Sequence, residues 1–563
     1  MIPSSRSRTH FQNPIRNSAL FLASLLLLLG ISSSLAGERT RVTLLSTTDL
    51  HGRIDPVDAF TNKPDQLGLA KLATLIRQAR KENPELLLLD SGDTIQGSPL
   101  EYFHSHRHPD EPDPMMLVMN SLAFDAMTVG NHEFNFGLKV LQKARSEAHF
   151  PWLSANTVRT GTDETAFTPF IVKTVSGVRV GVLGITTPAI SNWEDPGNFA
   201  GLEFRDAVDS AKHWVSVLRE KEHVDLVVVT SHMGLEEDLG SSRMAPAQFN
   251  GENAVLAIAR QVSGVDVILI GHTHRNVPAL VVNGVLLSQA GRWGDRLAKV
   301  DVTFEKDPFG RWQITSKGAT TIPVTEQVKA DPEILKLAEP YDRETQAWLS
   351  QLIGHCAKPL SAADSRLRDS ALIDLVQQAQ LEAGNAEVSF AASFNLDARI
   401  AEGPVSVRDI YSIYTYENTL VVIEATGSQI KAALEHSARY FMPYEPGRRP
   451  ADLMDPRIPG YNFDMAEGVS YEIDITRPIG DRILDLRFHG QPIDLDRKFR
   501  VAINNYRYNG GGGYTMYKAA PVLSHSSREV RDLIIDWVEK HREIPTEPSN
   551  NWHISAGNGA ATR

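Results

Sequence analysis

One pattern, repeated five times, constrains this chain of 563 residues more than any other: an apolar, β-rich run that stops at a short loop of Asp, Asn and His. Val42-Thr-Leu-Leu45 leads to Thr48-Asp-Leu-His51, Leu86–Leu89 to Ser91-Gly-Asp93, Leu226–Val229 to Ser231-His232, and Val267–Ile270 to Gly271-His-Thr-His274. In the fifth, Met127 to Gly137, an amide, an imidazole and a carboxylate stand side by side at Asn131, His132 and Glu133. Unbroken apolar runs suit strands buried on both faces, and in stacked sheets ligands collect beyond the carboxyl ends of the strands. Five such loops on one edge would bring together Asp49, His51, Asp93, Asn131, His232, His272 and His274. Seven oxygen and imidazole ligands without a thiolate suit two first-row divalent cations that share a carboxylate. Any one of these loops by itself reads as an Asx turn or a solvated histidine. Their repetition at strand ends reverses that reading.

Around this pattern the chain divides into several parts. Its length implies two or more domains. With 42% hydrophobic and 22% charged residues it reads as globular, and the formal net charge of −12 offers no footprint for a nucleic-acid polymer. Arg6, Arg8 and Arg16, then the apolar Ala19–Ile31 and the small residues of Ser34-Leu-Ala36, read as a signal peptide over residues 1–36. That apolar core is shorter than a spanning helix needs, so no stable membrane insertion is expected. From 38 to 325, strands alternate with helices such as the one carrying Leu69, Leu72, Ala73 and Ile76, and short β segments are expected between Val285 and Val302. A linker helix over 326–358 starts at Asp331-Pro332, is interrupted at Pro340 and resumes an apolar stripe through Trp348, Leu349, Leu352 and Ile353. A second α/β domain over 359–554 contains a helix at Ala371–Ala379, a strand at Glu387–Ala392, a β-rich segment with Tyr411, Tyr414 and Tyr416, and a helix from Ser428. The lone Cys356 reads as buried and inert, and His104, His106 and His108 as a solvated loop.

The ordered motifs TDLHG, SGDTIQGSP, GNHEFNFG, SHMG and GHTH resemble the calcineurin-like metallophosphoesterase domain of the secreted 5'-nucleotidase family. GNHEFN, with the later YNFD and NNYR, is similar to the bacterial 2',3'-cyclic-nucleotide 2'-phosphodiesterase/3'-nucleotidase branch. The resemblance implies a layered β-sandwich with flanking helices, joined through the linker helix to a second α/β nucleotide-binding domain that rotates against it. It implies two divalent ions (Mn, Zn, Co or Fe), one held by Asp49, His51 and His274, the other by Asn131, His232 and His272, with Asp93 bridging. His132 takes the catalytic position that assists the leaving group. Many 5'-nucleotidases place an aspartate three residues after that histidine; here the position is Asn135, which keeps a hydrogen bond but removes a charge.

In the second domain Tyr416 and Tyr506 align with the pair of rings that clamps the base, and Asn395 and Arg399 with polar substrate contacts, although Ser-Phe-Asn-Leu-Asp-Ala-Arg departs from the family's glycine-rich pattern there. The implied protein is a periplasmic monomer acting on small nucleotides, 2',3'-cyclic and 3'-nucleotides first. A 5'-nucleotidase or nucleotide-sugar hydrolase is the alternative within the class. A secreted binding protein without activity is the alternative outside it, and the retention of all seven ligands speaks against that.

Overall fold

The computed structural model describes Met1 and residues 37–58, 62–237, 251–416, 418–518 and 520–556. Past Met1, the signal peptide expected over residues 1–36 lies outside the described residues. Among the described residues no helix is long and apolar enough to cross a membrane.

Two six-stranded sheets build the first half of the chain. One runs in the order Trp312–Pro323, Arg296–Lys306, Arg39–Thr47, Leu87–Asp90, Ala126–Thr128, Trp152–Leu153. The other runs Asn276–Val282, Val285–Ala290, Val267–Ile270, Leu226–His232, Val178–Thr186, Phe170–Val175. The strands that end at the five polar loops pair in parallel with one another within each sheet, and antiparallel strands close three of the four edges, the fourth being the parallel Trp152–Leu153. Their apolar runs serve two layers at once. Val42, Leu44, Leu87, Leu89, Leu226, Val228, Val267 and Leu269 fill the space between the sheets. Leu45 and Leu88 meet Leu69, Leu72 and Ile76 in one helical layer, while Val227, Val229, Ile268 and Ile270 meet Ala211, Val215 and Leu218 in another. Successive side chains of a strand point to opposite faces, so a strand covered on both sides reads as a continuous apolar run.

The five loops therefore come from the strand ends of both stacked sheets, three from one and two from the other. Polar contacts across the sandwich tie the strand ends: Thr128 Oγ1 donates to Thr230 O at 3.2 Å and Thr186 Oγ1 to Val129 O at 2.7 Å. Between Val285 and Val302 the chain forms Val285–Ala290 and then a long hairpin of 11 and 12 residues, Arg296–Lys306 with Trp312–Pro323, rather than short segments only.

The connecting helix is Pro332–Leu349, capped by Asp331 Oδ1, which accepts from Glu333 N at 2.9 Å and Ile334 N at 3.3 Å. The interruption expected at Pro340 does not occur. Pro340 lies on the exposed face, where water can satisfy the carbonyl left without its donor. Leu352 and Ile353 do not continue the helical stripe; they open the strand Leu352–Cys356, which pairs with Gly403–Ser406 and Glu543–Ile544 of the second half. Trp348, at the helix end, stacks on Tyr102 and Phe103 of the first half and meets Tyr411 of the second edge-on.

The second half is built on a five-stranded sheet in the order Asp464–Glu467, Val388–Ala392, Lys498–Asn504, Thr419–Thr426, Val522–Glu529, with a four-stranded sheet beside it. Helices Ala371–Gly384 and Gly427–Ser437 lie where expected. The segment around Tyr411 is a helix, Val407–Ile413, not β structure, because Asp409 accepts from both the amide and the hydroxyl of Ser406 and so caps its first turn. The three clustered histidines are likewise not a loop: His104 and His106 lie on the helix Pro99–Arg107, started by Ser98, and His108 is its C-cap. His104 is buried and His106 stacks on Tyr102. Cys356 is a buried free thiol.

Candidate metal centre and the groove facing it

Five of the seven candidate ligands sit in left-handed backbone: Asp49 (φ 51°), His51 (49°), Asp93 (60°), His272 (70°) and His274 (55°). For residues with a Cβ this conformation costs about 1–2 kcal/mol each, and such strain concentrates at functional sites. Here it turns each side chain inward from the end of its strand. Two glycines of the motifs are required by the same crowding. A Cβ on Gly130 would lie 2.3 Å from Asp93 Oδ1, and one on Gly271 2.6 Å from Thr48 Oγ1 and 2.9 Å from His232 Nδ1.

The inward atoms form two adjoining groups, Asp49, His51 and His274 in one and Asp93, His232 and His272 in the other, the ligand atoms of each lying within 4.8 Å of one another. His51 Nε2 is 3.0 Å from His274 Nε2, and His274 Nε2 is 3.3 Å from Asp49 Oδ1. Asn131 Oδ1 joins the second group, 3.2 Å from His232 Nε2 and 3.0 Å from His272 Nδ1. Asp93 Oδ2 lies between the groups, 3.0 Å from His232 Nε2 and 3.9 Å from His51 Nε2.

Tautomers follow from the outer partners. His51 Nδ1 donates to Gln96 O at 2.8 Å and His232 Nδ1 to Ser91 O at 2.7 Å. In their neutral forms both rings then aim an Nε2 lone pair at carboxylate and amide oxygens. Lone pairs and carboxylates converging in a buried space, with no thiolate among them, are a donor set for hard or borderline divalent cations. The electrostatics agree. Burial by itself would raise the Asp93 carboxyl, yet His232, His132 and His51 hold it well below the usual range. Burial opposes a charge on His232, but the Asp93 carboxylate, then Asp49 and Glu133, push its imidazole up to about 10. The field that would hold a proton there is the field that would hold a cation.

Glu133 organises the loops from behind. Fully buried, it accepts from Thr94 N (2.6 Å) and Ile95 N (3.3 Å) at Oε1, and from Asp93 N (3.0 Å) and Gly130 N (2.6 Å) at Oε2. His272 has a comparable partner in Glu252, whose Oε1 is 3.3 Å from its Nε2. A metal-binding histidine that gives its other ring nitrogen to a carboxylate is held in tautomer and orientation. A third group, His108, Glu111 and Glu344, lies at the surface, where His108 Nδ1 is already paired with Glu111 Oε1 at 3.1 Å.

His132 stands beside the two groups. Its amide donates to Asp93 Oδ1 at 2.9 Å and its ring centroid is 5.2 Å from that of His51. Its Nδ1 donates to Asn135 Oδ1 at 2.5 Å, and Asn135 Nδ2 donates onward to Glu194 Oε2 at 2.5 Å.

The comparisons follow the same lines as the geometry. Residues 42–276 match the family model for the calcineurin-like phosphoesterase, and residues 352–519 that for the 5'-nucleotidase C-terminal domain. The chain is 31% identical to a 2',3'-cyclic-nucleotide 2'-phosphodiesterase/3'-nucleotidase of Haemophilus influenzae, over 91% of this chain and 87% of that protein. It belongs to the 5'-nucleotidase family. A trifunctional nucleotide phosphoesterase of Bacillus subtilis, YfkN, is 28% identical over 98% of this chain, which spans 42% of that longer protein. A solved structure described as a 5'-nucleotidase, from Staphylococcus aureus, covers 92% of this chain with a TM-score of 0.80 at 28% identity. As a member of this family the chain is a metal-dependent phosphoester hydrolase with two domains of mixed α/β sheets.

In this 5'-nucleotidase-family enzyme the second domain turns a set of rings towards the first. Tyr416 is 40% exposed, packed edge-on against Phe394 at 5.0 Å and 6.3 Å from Tyr461. Burial, then Tyr506, Tyr416 and Glu252, raise the Tyr461 hydroxyl, so this ring lies within electrostatic reach of both tyrosines and of the His272 partner in the first domain. Tyr506 opens the short helix Asn505–Tyr508, and a Cβ on Gly511 would meet its ring at 2.5 Å, so the glycine run lets the loop lie against it. Arg507, buried, ties the floor together by donating to Asp464 (2.7 and 2.8 Å), Tyr461 O (2.6 Å) and Gly511 O (3.3 Å).

Asn395 and Arg399 have local partners instead. Asn395 donates to Ser412 O at 3.0 Å and accepts from Asp397 N at 2.9 Å, which closes its own turn. Arg399 reaches back to Ser361 Oγ at 2.5 Å. Glu194 and Glu252 carry no motif of their own in the sequence, whereas Tyr461 lies in the YNFD segment.

Proposed function

We propose that the chain is an exported dinuclear-metal phosphoesterase acting on 2',3'-cyclic nucleotides and 3'-nucleotides. The observation that carries this reading is the inward convergence of seven oxygen- and nitrogen-bearing side chains from two sheets into two adjoining groups, with the Asp93 carboxylate between them and His132 beside them. Asp49, His51, Asp93 and His274 would hold one cation and Asp93, Asn131, His232 and His272 the other. Two divalent ions bound there would supply Lewis acidity and positive charge for phosphoryl transfer.

The remaining roles fall to the chain itself. Tyr416 and Tyr506, with Tyr461 beside them, form stacking surfaces that tolerate any base. His132 presents Nε2 to the ester oxygen. As a water oxygen bonds phosphorus and the P–O bond to ribose breaks, the ribose oxygen keeps the electron pair and takes the Nε2 proton, while the water's proton passes to solvent. Asn135, in place of an acid, and the activity for which the Haemophilus influenzae relative is named support the cyclic and 3' substrates. Export rests on the basic, apolar and small-residue order of residues 6–36.

A substrate panel of 2',3'-cyclic AMP, 3'-AMP and 5'-AMP, run with Mn, Zn and Co, tests the reading. Faster release of phosphate from 5'-AMP than from 3'-AMP would make the enzyme a 5'-nucleotidase instead, and full activity in His232→Ala would remove the metal centre from the chemistry.

A further inference from the structure

The charge missing at position 135 is present elsewhere. We propose that Glu194 is the positioning residue that orients Asn135, and through it His132, in place of the adjacent carboxylate; the proposal rests on His132 being the leaving-group acid.

Glu194 is 5% exposed and lies 59 residues beyond Asn135, on a turn closed by Trp193 N and Glu194 N, both donating to Ile190 O. Its Oε1 accepts from Asp195 N at 2.7 Å and Asn198 Nδ2 at 2.9 Å, and its Oε2 from Asn135 Nδ2 at 2.5 Å. Burial raises the Glu194 carboxyl, and the three N–H donors from Asp195, Asn198 and Asn135 oppose that shift, because together they fit an ionised acceptor.

An ionised carboxylate accepts only, and this decides which way the amide turns. Rotating the Asn135 amide by 180° changes its shape little, so sterics alone do not choose. With Glu194 ionised, Nδ2 must face Oε2, and Oδ1 must therefore face His132 Nδ1. An acceptor at Nδ1 holds the ring through its Nδ1–H, with Nε2 on the side away from Asn135. The reverse amide would set a donor against Nδ1–H and break that hold. Thus the amide passes on the orienting effect of the carboxylate that a directly bonded Asp would provide.

The same turn is gripped by the second domain: Asn509 Nδ2 donates to Glu194 O at 3.3 Å and Asp195 Oδ2 lies 3.1 Å from His525 Nε2. Asn509 follows Tyr506 by three residues, so the ring that stacks the base and the turn that orients His132 share one contact region.

The geometry also predicts what Glu194→Gln does. Its amide oxygen would stay with the two donors at the Oε1 position, and its NH2 would face Asn135 and turn that amide around. The experiment uses the full chain loaded with its divalent ion and measures kcat and KM for 3'-AMP, whose ribose oxygen leaves poorly, and for p-nitrophenyl phosphate, whose phenolate leaves without help. Metal content per chain is measured in parallel. For E194Q we expect kcat on 3'-AMP to fall by about 10–100-fold with KM within about 2-fold, p-nitrophenyl phosphate to change by less than about 3-fold, and metal content to stay unchanged, since loss of acid assistance shows where the leaving group is poor. Adding Asn135→Asp to E194Q places a carboxylate directly on Nδ1 and should restore most of the loss. Equal loss on both substrates, unchanged 3'-AMP turnover, or no rescue in the double variant overturns the proposal. Should E194Q not fold, Asn135→Asp alone tests the same contact: two facing carboxylates should depress 3'-AMP turnover, and normal turnover overturns the proposal. His132→Ala separates the two claims. If it loses no more on 3'-AMP than on p-nitrophenyl phosphate, the acid reading fails and this proposal with it, whereas a selective loss in His132→Ala beside an unaffected E194Q overturns the proposal alone.

Discussion

Glu133→Gln removes one charge and almost no volume, yet it should be among the most damaging substitutions in the first domain. The glutamate carboxylate accepts four backbone N–H groups, two at each oxygen, from Thr94, Ile95, Asp93 and Gly130. A glutamine has one oxygen and one NH2. Whichever way it turns, two buried N–H groups face another donor. Leaving a buried donor unsatisfied costs about 1–3 kcal/mol. Two of them, partly offset by relief from burying a charge near Asp93, put the loss at about 2–4 kcal/mol. The penalty falls on the two loops that carry Asp93 and Asn131, so metal retention should fall together with stability. Urea unfolding of the metal-free protein, followed by tryptophan fluorescence, reads the first quantity. Metal per chain after exhaustive dialysis reads the second. A variant with the parent's unfolding midpoint and the parent's metal content would refute the reasoning, because it would mean that these four N–H groups find other partners.

Other expectations follow from the same geometry. Glu252→Gln should weaken metal retention by about 10–100-fold, as the loss of a carboxylate behind a metal-binding histidine does, and should leave the unfolding midpoint of the metal-free protein within error; titration calorimetry with Mn or Zn measures it. Tyr416→Ala and Tyr506→Ala should each raise KM for nucleotides by about 5–100-fold, the equivalent of ~1–3 kcal/mol of stacking, and leave p-nitrophenyl phosphate turnover unchanged in steady-state assays. Asp374, buried beside Asp369 and Glu467, has its carboxyl pushed up to about 8 by burial and then by Asp369. Because the folded state holds this proton more tightly than the unfolded one, the stability it contributes is complete below about pH 4 and is lost as the pH rises through about 8. Asp374→Asn should therefore gain on the parent between pH 6 and 9, by on the order of 2 kcal/mol; denaturation midpoints that shift in parallel across that range would contradict it.

What could be read from the sequence was what repeats locally. Strands covered on both faces must be apolar at every position, so Leu86–Leu89 and Val267–Ile270 announced themselves, and the polar residues that ended them were conspicuous by contrast. The seven inward side chains were legible for that reason. Their allocation to two sheets was not, because nothing in a strand's own residues says which sheet it joins. Tyr411 reads as part of a strand because an aromatic-rich stretch resembles one until the Ser406–Asp409 cap is counted. Pro340 reads as a break because its exposure, which makes the missing donor harmless, is a tertiary property.

The harder omission is Glu194. Its turn has no apolar period, it is distant in sequence from Asn135, and a buried glutamate in a turn carries no signature of its own. Asn135 was read as a place where charge had been lost. In three dimensions the carboxylate lies one amide further from the imidazole, held by three N–H donors, and the backbone carbonyl of Glu194 accepts from Asn509 of the second domain. A substitution that looks like a defect along the chain is, in the fold, one member of a three-residue relay, completed only when the Ile190–Asn198 turn packs against the Asn131–Asn135 loop.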